Sequence, residues 1–118
     1  MEKLRVYYNP ACSKCKKLKV LLANQDLEVD WVNYLENPLS EKALKELLEK
    51  MKALPSQIIR LASNELEGQT EEELLQRIVE SPVLLNRPII EKQDMAFLCR
   101  PVDIITEKLP EYDWSEYL

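Results

Sequence analysis

Apolar and polar positions along the chain fall into short blocks whose spacing changes several times. Leu4, Val6, Tyr7 and Tyr8 form a brief apolar run that reads as a strand, and Asn9-Pro10 ends it. From Cys12 the spacing becomes helical, with Cys15, Leu18 and Leu22 on one stripe and Leu21 beside them. Asn24-Gln25-Asp26 breaks that pattern, and residues 28–35 then alternate through Val29, Trp31, Val32 and Tyr34 as a second strand. Strand, full-length helix and strand in succession predict a right-handed parallel βαβ unit. Asn37-Pro38 stops it.

The middle of the chain is helical in pattern. Ser40 suits the N-cap of a helix buried through Leu44, Leu47, Leu48 and Met51. Pro55 suits the first turn of a short helix carrying Ile58, Ile59 and Ala62. An irregular acidic segment closes at Gly68, and Thr70 with Glu73 forms a capping box before Leu74, Leu75, Ile78 and Val79. Ser81-Pro82 ends that helix. Residues 88–92 and 95–98 predict a hairpin through Gln93-Asp94, and Pro101 opens a last helix with Ile104, Ile105 and Leu109 inside. Pro110 stops it, and residues 111–118 form an acidic, aromatic tail. With the three central helices set aside, βαβ followed by ββα remains. The expected fold is α/β and thioredoxin-like, a four-stranded mixed sheet with a helical insertion at about 39–81. At 118 residues the chain is expected to form one domain spanning 1–118.

Composition narrows the chemistry. A single glycine excludes Gly-rich phosphate loops and argues against tight turns with positive φ. The absence of histidine removes Ser-His-Asp and Cys-His catalysis, and three cysteines without histidine make a zinc site a poor fit. Any nucleophile must therefore be activated by backbone dipoles and by Lys or Arg. The formal charge is −5, yet residues 1–19 carry six Lys/Arg against Glu2 alone, which is +5 and leaves −10 on the rest. An acidic protein with one cationic end does not suit nucleic acid; it concentrates positive potential at one site. No apolar stretch is long enough to span a membrane, and an odd cysteine count without a secretion signal leads us to expect the cytoplasm.

The candidate chemistry centres on Cys12, where a strand hands over to a helix N-terminus. Free backbone N–H groups and the helix dipole favour a thiolate there. Cys15 follows three residues later, and helix geometry sets their Cα atoms roughly 5 Å apart, within the range a disulfide accepts. Cys12 and Cys15 thus form a plausible thiol–disulfide couple, Cys12 exposed and Cys15 one turn deeper. Lys14, Lys16, Lys17 and Lys19 crowd the first two turns, which suits a nearby anion or thiolate or else a solvated cationic face. Arg87 and Arg100 each precede a proline at the ends of the hairpin, either to cap the sheet edge, to pair with acids, or to serve a site at its rim. Arg60 alone attracts no attention. Cys99 follows an apolar strand and reads as a buried structural thiol.

Taken together, these pieces resemble the thioredoxin-fold arsenate reductases of ArsC type and their relatives. The matching stretches are Tyr-x-Asn-Pro-x-Cys at Tyr7–Cys12, Tyr34-Leu35-Glu36-Asn37-Pro38, Ile58-Ile59-Arg60, Asn86-Arg87-Pro88-Ile89 and Leu98-Cys99-Arg100-Pro101. They occur in family order over residues 4 to about 108. The resemblance implies that Cys12 forms a covalent thiol adduct with arsenate or a related oxyanion. It also implies that Arg60, Arg87 and Arg100 hold the oxyanion and the thiolate, and that Pro88 is a cis-proline. No bound cofactor is implied; glutathione with glutaredoxin, or thioredoxin, would supply electrons.

Two positions depart from the pattern. Tyr8 stands where the arsenate-resistance enzymes commonly carry histidine. Cys15 stands where glutaredoxin-coupled members generally lack cysteine, and it would let the protein resolve its own adduct as an intramolecular disulfide. The second feature is shared with Spx-type redox regulators that bind RNA polymerase, but those generally lack the Cys-Arg-Pro element seen at Cys99–Pro101. The expectation is an arsenate-reducing thiol oxidoreductase, with an Spx-type regulator and a general thiol–disulfide reductase as alternatives.

Overall fold

The computed structural model describes residues 3–23, 25, 28–100 and 102–110. Four strands, β1 (Lys3–Tyr8), β2 (Glu28–Asn33), β3 (Ile89–Lys92) and β4 (Met95–Leu98), form one sheet in the order β2-β1-β3-β4. β1 and β2 are parallel, with Val6 opposite Trp31. β3 runs antiparallel to both β1 and β4, with Ile90 opposite Val6 on one side and Phe97 on the other. Helix α1 (Ser13–Ala23) links β1 to β2. Between β2 and β3 lie α2 (Glu41–Met51), the one-turn helices α3 (Pro55–Ile58) and α4 (Ser63–Leu66), and α5 (Glu71–Glu80). After β4, a 3₁₀ turn at Val102–Ile104 leads into α6 (Ile105–Lys108). This is the mixed, thioredoxin-like α/β architecture that the order of elements anticipates.

Period-two alternation sends each central strand's side chains to two separate cores. Tyr7, Ile89 and Ala96 pack with Leu44, Leu47, Leu74 and Ile78 of α2 and α5. Leu4, Val6, Ile90 and Phe97 pack with Leu18, Leu21 and Leu22 of α1 and with Ile105 and Leu109. β1 and β3 are covered on both faces only toward one end, where Val6-Tyr7 and Ile89-Ile90 are buried in succession. Lys3 and Arg5 are exposed at the other end of β1, and Glu91-Lys92 are partly exposed in β3.

Caps fall where the sequence places them. Ser40 Oγ accepts from Ala43 N–H (3.1 Å) at the head of α2. Thr70 and Glu73 complete a reciprocal box at α5, Glu73 N–H donating to Thr70 Oγ1 (3.1 Å) and Thr70 N–H to Glu73 Oε1 (2.9 Å).

Elsewhere the chain departs from expectation. β2 stops at Asn33 rather than residue 35, because Asn33 Oδ1 accepts from Leu35 N–H and its carbonyl accepts from Asn37 N–H, turning the backbone. The segment after Pro55 does not stay helical. Ile59 is extended and bridges to Leu85, and a separate turn of helix forms over Ser63–Leu66. Positive φ also occurs despite the scarcity of glycine: Lys52, which caps α2, and Gln93, the first loop residue of the hairpin, both sit at φ 54°. The proposed start of the last helix at Pro101 and the tail at 111–118 lie outside the described residues.

Candidate active site

The turn from β1 into α1 is built by Asn9, which is 5% exposed. Its side-chain Oδ1 accepts from Ala11 N–H (2.9 Å) and its carbonyl accepts from Cys12 N–H (3.0 Å). The Cys12 carbonyl then accepts the first helical bond, from Lys16 N–H (3.1 Å), so Cys12 occupies the N-cap position of α1. There its half-exposed sulfur meets donors that the helix start leaves free. Partial burial pushes the Cys12 thiol up. Hydrogen bonds from the Cys15 N–H and thiol, the Lys14 N–H and the Arg87 guanidinium more than offset this and bring it down to about 7. At neutral pH Cys12 is therefore about half thiolate, against a few per cent for an ordinary cysteine.

Cys15 behaves oppositely. It is 2% exposed, and burial, joined by the neighbouring Cys12 charge, pushes its thiol up to about 12. Both are free thiols. Cys99, fully buried in the core that also holds Leu18, Phe97 and Ile105, is likewise pushed up to about 12 by burial, and its S–H donates to the Val102 carbonyl at 3.6 Å.

Arg87 closes the other side. Although charged, it is only 7% exposed. A 3₁₀ turn at Pro82–Leu84 folds the preceding chain back onto it, so that Arg87 Nη1 donates to the carbonyls of Val83 (3.0 Å) and Leu85 (3.4 Å). The Leu85 carbonyl also accepts from the buried Tyr34 hydroxyl (3.1 Å). Arg87 Nε is buried with no partner, an orphaned donor of a kind that is costly unless a ligand meets it. The Arg87–Pro88 peptide bond is cis. Arg100 Nη1 donates to the carbonyl of Arg87 (3.2 Å), and Cys99 N–H donates to the Pro88 carbonyl (2.8 Å), which fixes this corner to the end of β4.

The fold thus gathers Cys12, Cys15 and Arg87 closely enough for the last two to hold the Cys12 thiol down, and ties Arg100 and Pro88 to the same corner. Arg60 differs. Its backbone N–H donates to the Leu84 carbonyl (2.7 Å), alongside the Ile59–Leu85 bridge, while its side chain is exposed and makes no hydrogen bond among the described residues. Lys14 and Lys16 are exposed, and Lys19 Nζ lies over the Trp31 ring at 5.6 Å and the Tyr8 ring at 5.9 Å. Among the described residues no group of three or more His, Cys, Asp or Glu is arranged to hold a metal, and no helix is long and apolar enough to cross a membrane.

Sequence reading missed two residues that build this site. Periodicity and turn chemistry make Tyr34 a strand residue and Asn9 a strand terminator, and the resemblance includes both in matching stretches without giving either a role. Asn-Pro directly before the cysteine carried the signal for Asn9, since asparagine two residues before an open N–H readily forms such a turn. Tyr34 stands in the family-matching stretch Tyr34–Pro38, but its role could not be read there, because its partner is 51 residues away.

A cysteine at the first strand-to-helix junction of a mixed sheet, set beside a cis-proline corner, defines a thioredoxin-fold thiol protein. The chain belongs to the ArsC family, whose model matches residues 7–107. It is 29% identical to an arsenate reductase of Escherichia coli (strain K12), over 94% of this chain and 84% of that protein. It is 30% identical to the uncharacterized protein YfgD of the same organism, over 90% of this chain and 96% of that protein. An arsenate reductase structure from Vibrio cholerae superposes with a TM-score of 0.78 at 26% identity, covering 90% of this chain and 97% of that one.

Proposed function

We propose that the protein is an arsenate reductase that converts arsenate to arsenite through a thiol adduct on Cys12. The observation that carries the reading is the buried Arg87 guanidinium, whose Nε lacks a partner and which helps hold the Cys12 thiol down. A planar guanidinium beside a low-pKa thiolate offers an oxyanion both a nucleophile and a forked donor. Arg100, held to the Arg87 carbonyl, and exposed Arg60 would complete the charge around the oxyanion. Family membership over nearly the whole chain supports the same reading.

The steps balance as follows. The Cys12 thiolate attacks arsenic(V), one As–O bond breaks, and the oxygen leaves as water after protonation. A second thiol attacks the Cys12 sulfur, the S–As bond breaks, and its electron pair stays on arsenic, which departs as arsenite. Cys12 is left in a disulfide, either with Cys15 or with glutathione. Glutaredoxin or thioredoxin then returns two electrons. Cys15 is suited to the second role because it lies one helical turn from Cys12, at a Cα spacing of roughly 5 Å that a disulfide accepts. Once that sulfur is bonded to arsenic, the thiolate charge that helps keep Cys15 protonated is gone.

The test is arsenate reduction by the purified protein with glutathione/glutaredoxin and thioredoxin systems supplied in turn, alongside Cys12→Ser. Turnover with at least one donor, abolished in Cys12→Ser, is expected. No turnover with any donor would sink the arsenate reading, and RNA polymerase binding and disulfide exchange would become the next assays.

A further inference from the structure

Two thiols one helical turn apart are also a chelating pair. Cys12 caps α1 through its carbonyl and Cys15 lies in the first turn, which sets their Cα atoms roughly 5 Å apart. Both are unoxidised, so both sulfurs are available to a ligand. Cys12 is half-exposed and Cys15, one turn further into the helix, is buried, so the Cys12 side is the one open to a small ligand. Trivalent arsenic is a soft, thiol-seeking centre with three pyramidal ligands, and soft centres select sulfur donors.

We propose that reduced Cys12 and Cys15 bind trivalent arsenic as a cyclic dithiolate, making this pair a capture site for the product of the reaction. Capture itself needs only the dithiol; its meaning as product inhibition rests on the arsenate reading above. The exchange involves no change of oxidation state. The Cys12 sulfur attacks arsenous acid and displaces one hydroxyl, Cys15 displaces a second, and two S–As bonds replace two As–O bonds. The thiol protons leave with those hydroxyls as two waters. Among the described residues no third Cys, His, Asp or Glu joins the pair. Cys99 is buried with its S–H engaged by the Val102 carbonyl. The third position on arsenic therefore keeps its hydroxyl, or carries an organic substituent. A monosubstituted arsenical such as phenylarsine oxide fits the same two sulfurs with its ring directed outward.

A consequence follows for turnover. The captured form has no free nucleophile, so arsenite accumulating during the reaction would slow the enzyme until a competing dithiol removed it. A variant without Cys15 has only one sulfur to offer. Losing the second point of attachment should weaken binding by on the order of 10²–10⁴-fold.

The experiment titrates the fully reduced protein with phenylarsine oxide and, separately, with sodium arsenite, counting reactive thiols and recording the intact mass. Wild type is expected to lose two thiols per arsenic bound and to recover them with excess 2,3-dimercaptopropanol. Cys15→Ser and Cys12→Ser should bind far more weakly, while Cys99→Ala should bind as wild type does. Equal binding by wild type and Cys15→Ser, loss of a single thiol, or weakening in Cys99→Ala as great as in Cys15→Ser would overturn the proposal. Capture without arsenate turnover would remove the reductase reading and leave the dithiol site standing. Turnover without capture would do the reverse.

Discussion

Arg100 Nη1 donates to the carbonyl of Arg87 at 3.2 Å, so one arginine holds the backbone of the other at the cis peptide beside Cys12. The two residues therefore have different physical roles. Arg87 is buried and faces the thiolate, whereas Arg100 is half-exposed and fixes the corner from which Arg87 projects.

Substitutions at these two positions should separate activity from stability. Arg87→Ala removes a charge-assisted contact worth about 1.5–3 kcal/mol, which is roughly ten- to a hundredfold in kcat/KM for arsenate. It also strips the Val83 carbonyl of its side-chain donor, and the fold should lose about 1–3 kcal/mol. Arg100→Ala should cost activity on the same scale with little change in Tm. Lysine at either position keeps the charge without the fork and should rescue only in part. Full activity in Arg87→Ala and Arg100→Ala alike would remove both residues from the site.

Tyr34→Phe tests the support behind Arg87. The Tyr34 hydroxyl shares the Leu85 carbonyl with Arg87 Nη1, so its loss leaves that carbonyl one weak partner at 3.4 Å. A destabilisation of about 1 kcal/mol is expected in urea unfolding. The Cys12 thiolate titration in the same variant should stay within a few tenths of a pH unit of wild type. A large shift there would mean that Tyr34 positions Arg87 rather than merely anchoring the loop.

The contrast between Arg87 and Cys12 illustrates what could be read from the chain. The four strands, α1, α2 and α5 follow from periodicity and caps, because each depends on residues a few positions apart. Cys12 and Cys15 were legible for the same reason: strand, Asn-Pro and helix start are contiguous. The burial of Arg87 was not. A charged residue beside proline reads as a rim residue, but here the 3₁₀ turn at Pro82–Leu84 wraps two carbonyls around it. The extended path at Ile59–Arg60 was equally hidden, since the helical spacing of Ile58 and Ala62 is overridden by pairing with Leu84–Asn86 across the fold.

Stability should change with pH in two opposed steps. Cys12 has a folded value, about 7, below that of the unfolded chain, about 8.5. Between these values the unfolded state binds more protons, so stability rises with pH from about 7 to 8.5. Cys15, Cys99, Tyr7 and Tyr34 are all pushed up to about 12, chiefly by burial. The folded state holds their protons after the unfolded chain has released them. Stability therefore falls above about pH 8.5 for the thiols and above about 10 for the tyrosines. Urea unfolding from pH 6 to 11 should show the rise followed by the fall. Cys12→Ser should remove the rise and keep the fall; a rise that persists in Cys12→Ser would assign it to another group.

Mild peroxide should join Cys12 to Cys15 and leave Cys99 untouched. The half-ionised Cys12 sulfur reacts with peroxide to give a sulfenic acid, releasing hydroxide. Its thiolate charge is then gone, and the Cys15 thiol attacks the oxidised sulfur, forming the disulfide and releasing water. Cys99 has no route to the same outcome. It is fully buried, its S–H donates to the Val102 carbonyl, and it carries no group that would lower its pKa. Peptide mapping after limited oxidation should find one disulfide, Cys12–Cys15, and Cys99 alkylated only after unfolding. Cys15→Ser should instead accumulate sulfenic acid, sulfinic acid or a mixed disulfide on Cys12. A Cys12–Cys99 disulfide in native protein would show that the end of β4 opens toward Cys12, and would move the resolving thiol from α1 to the sheet.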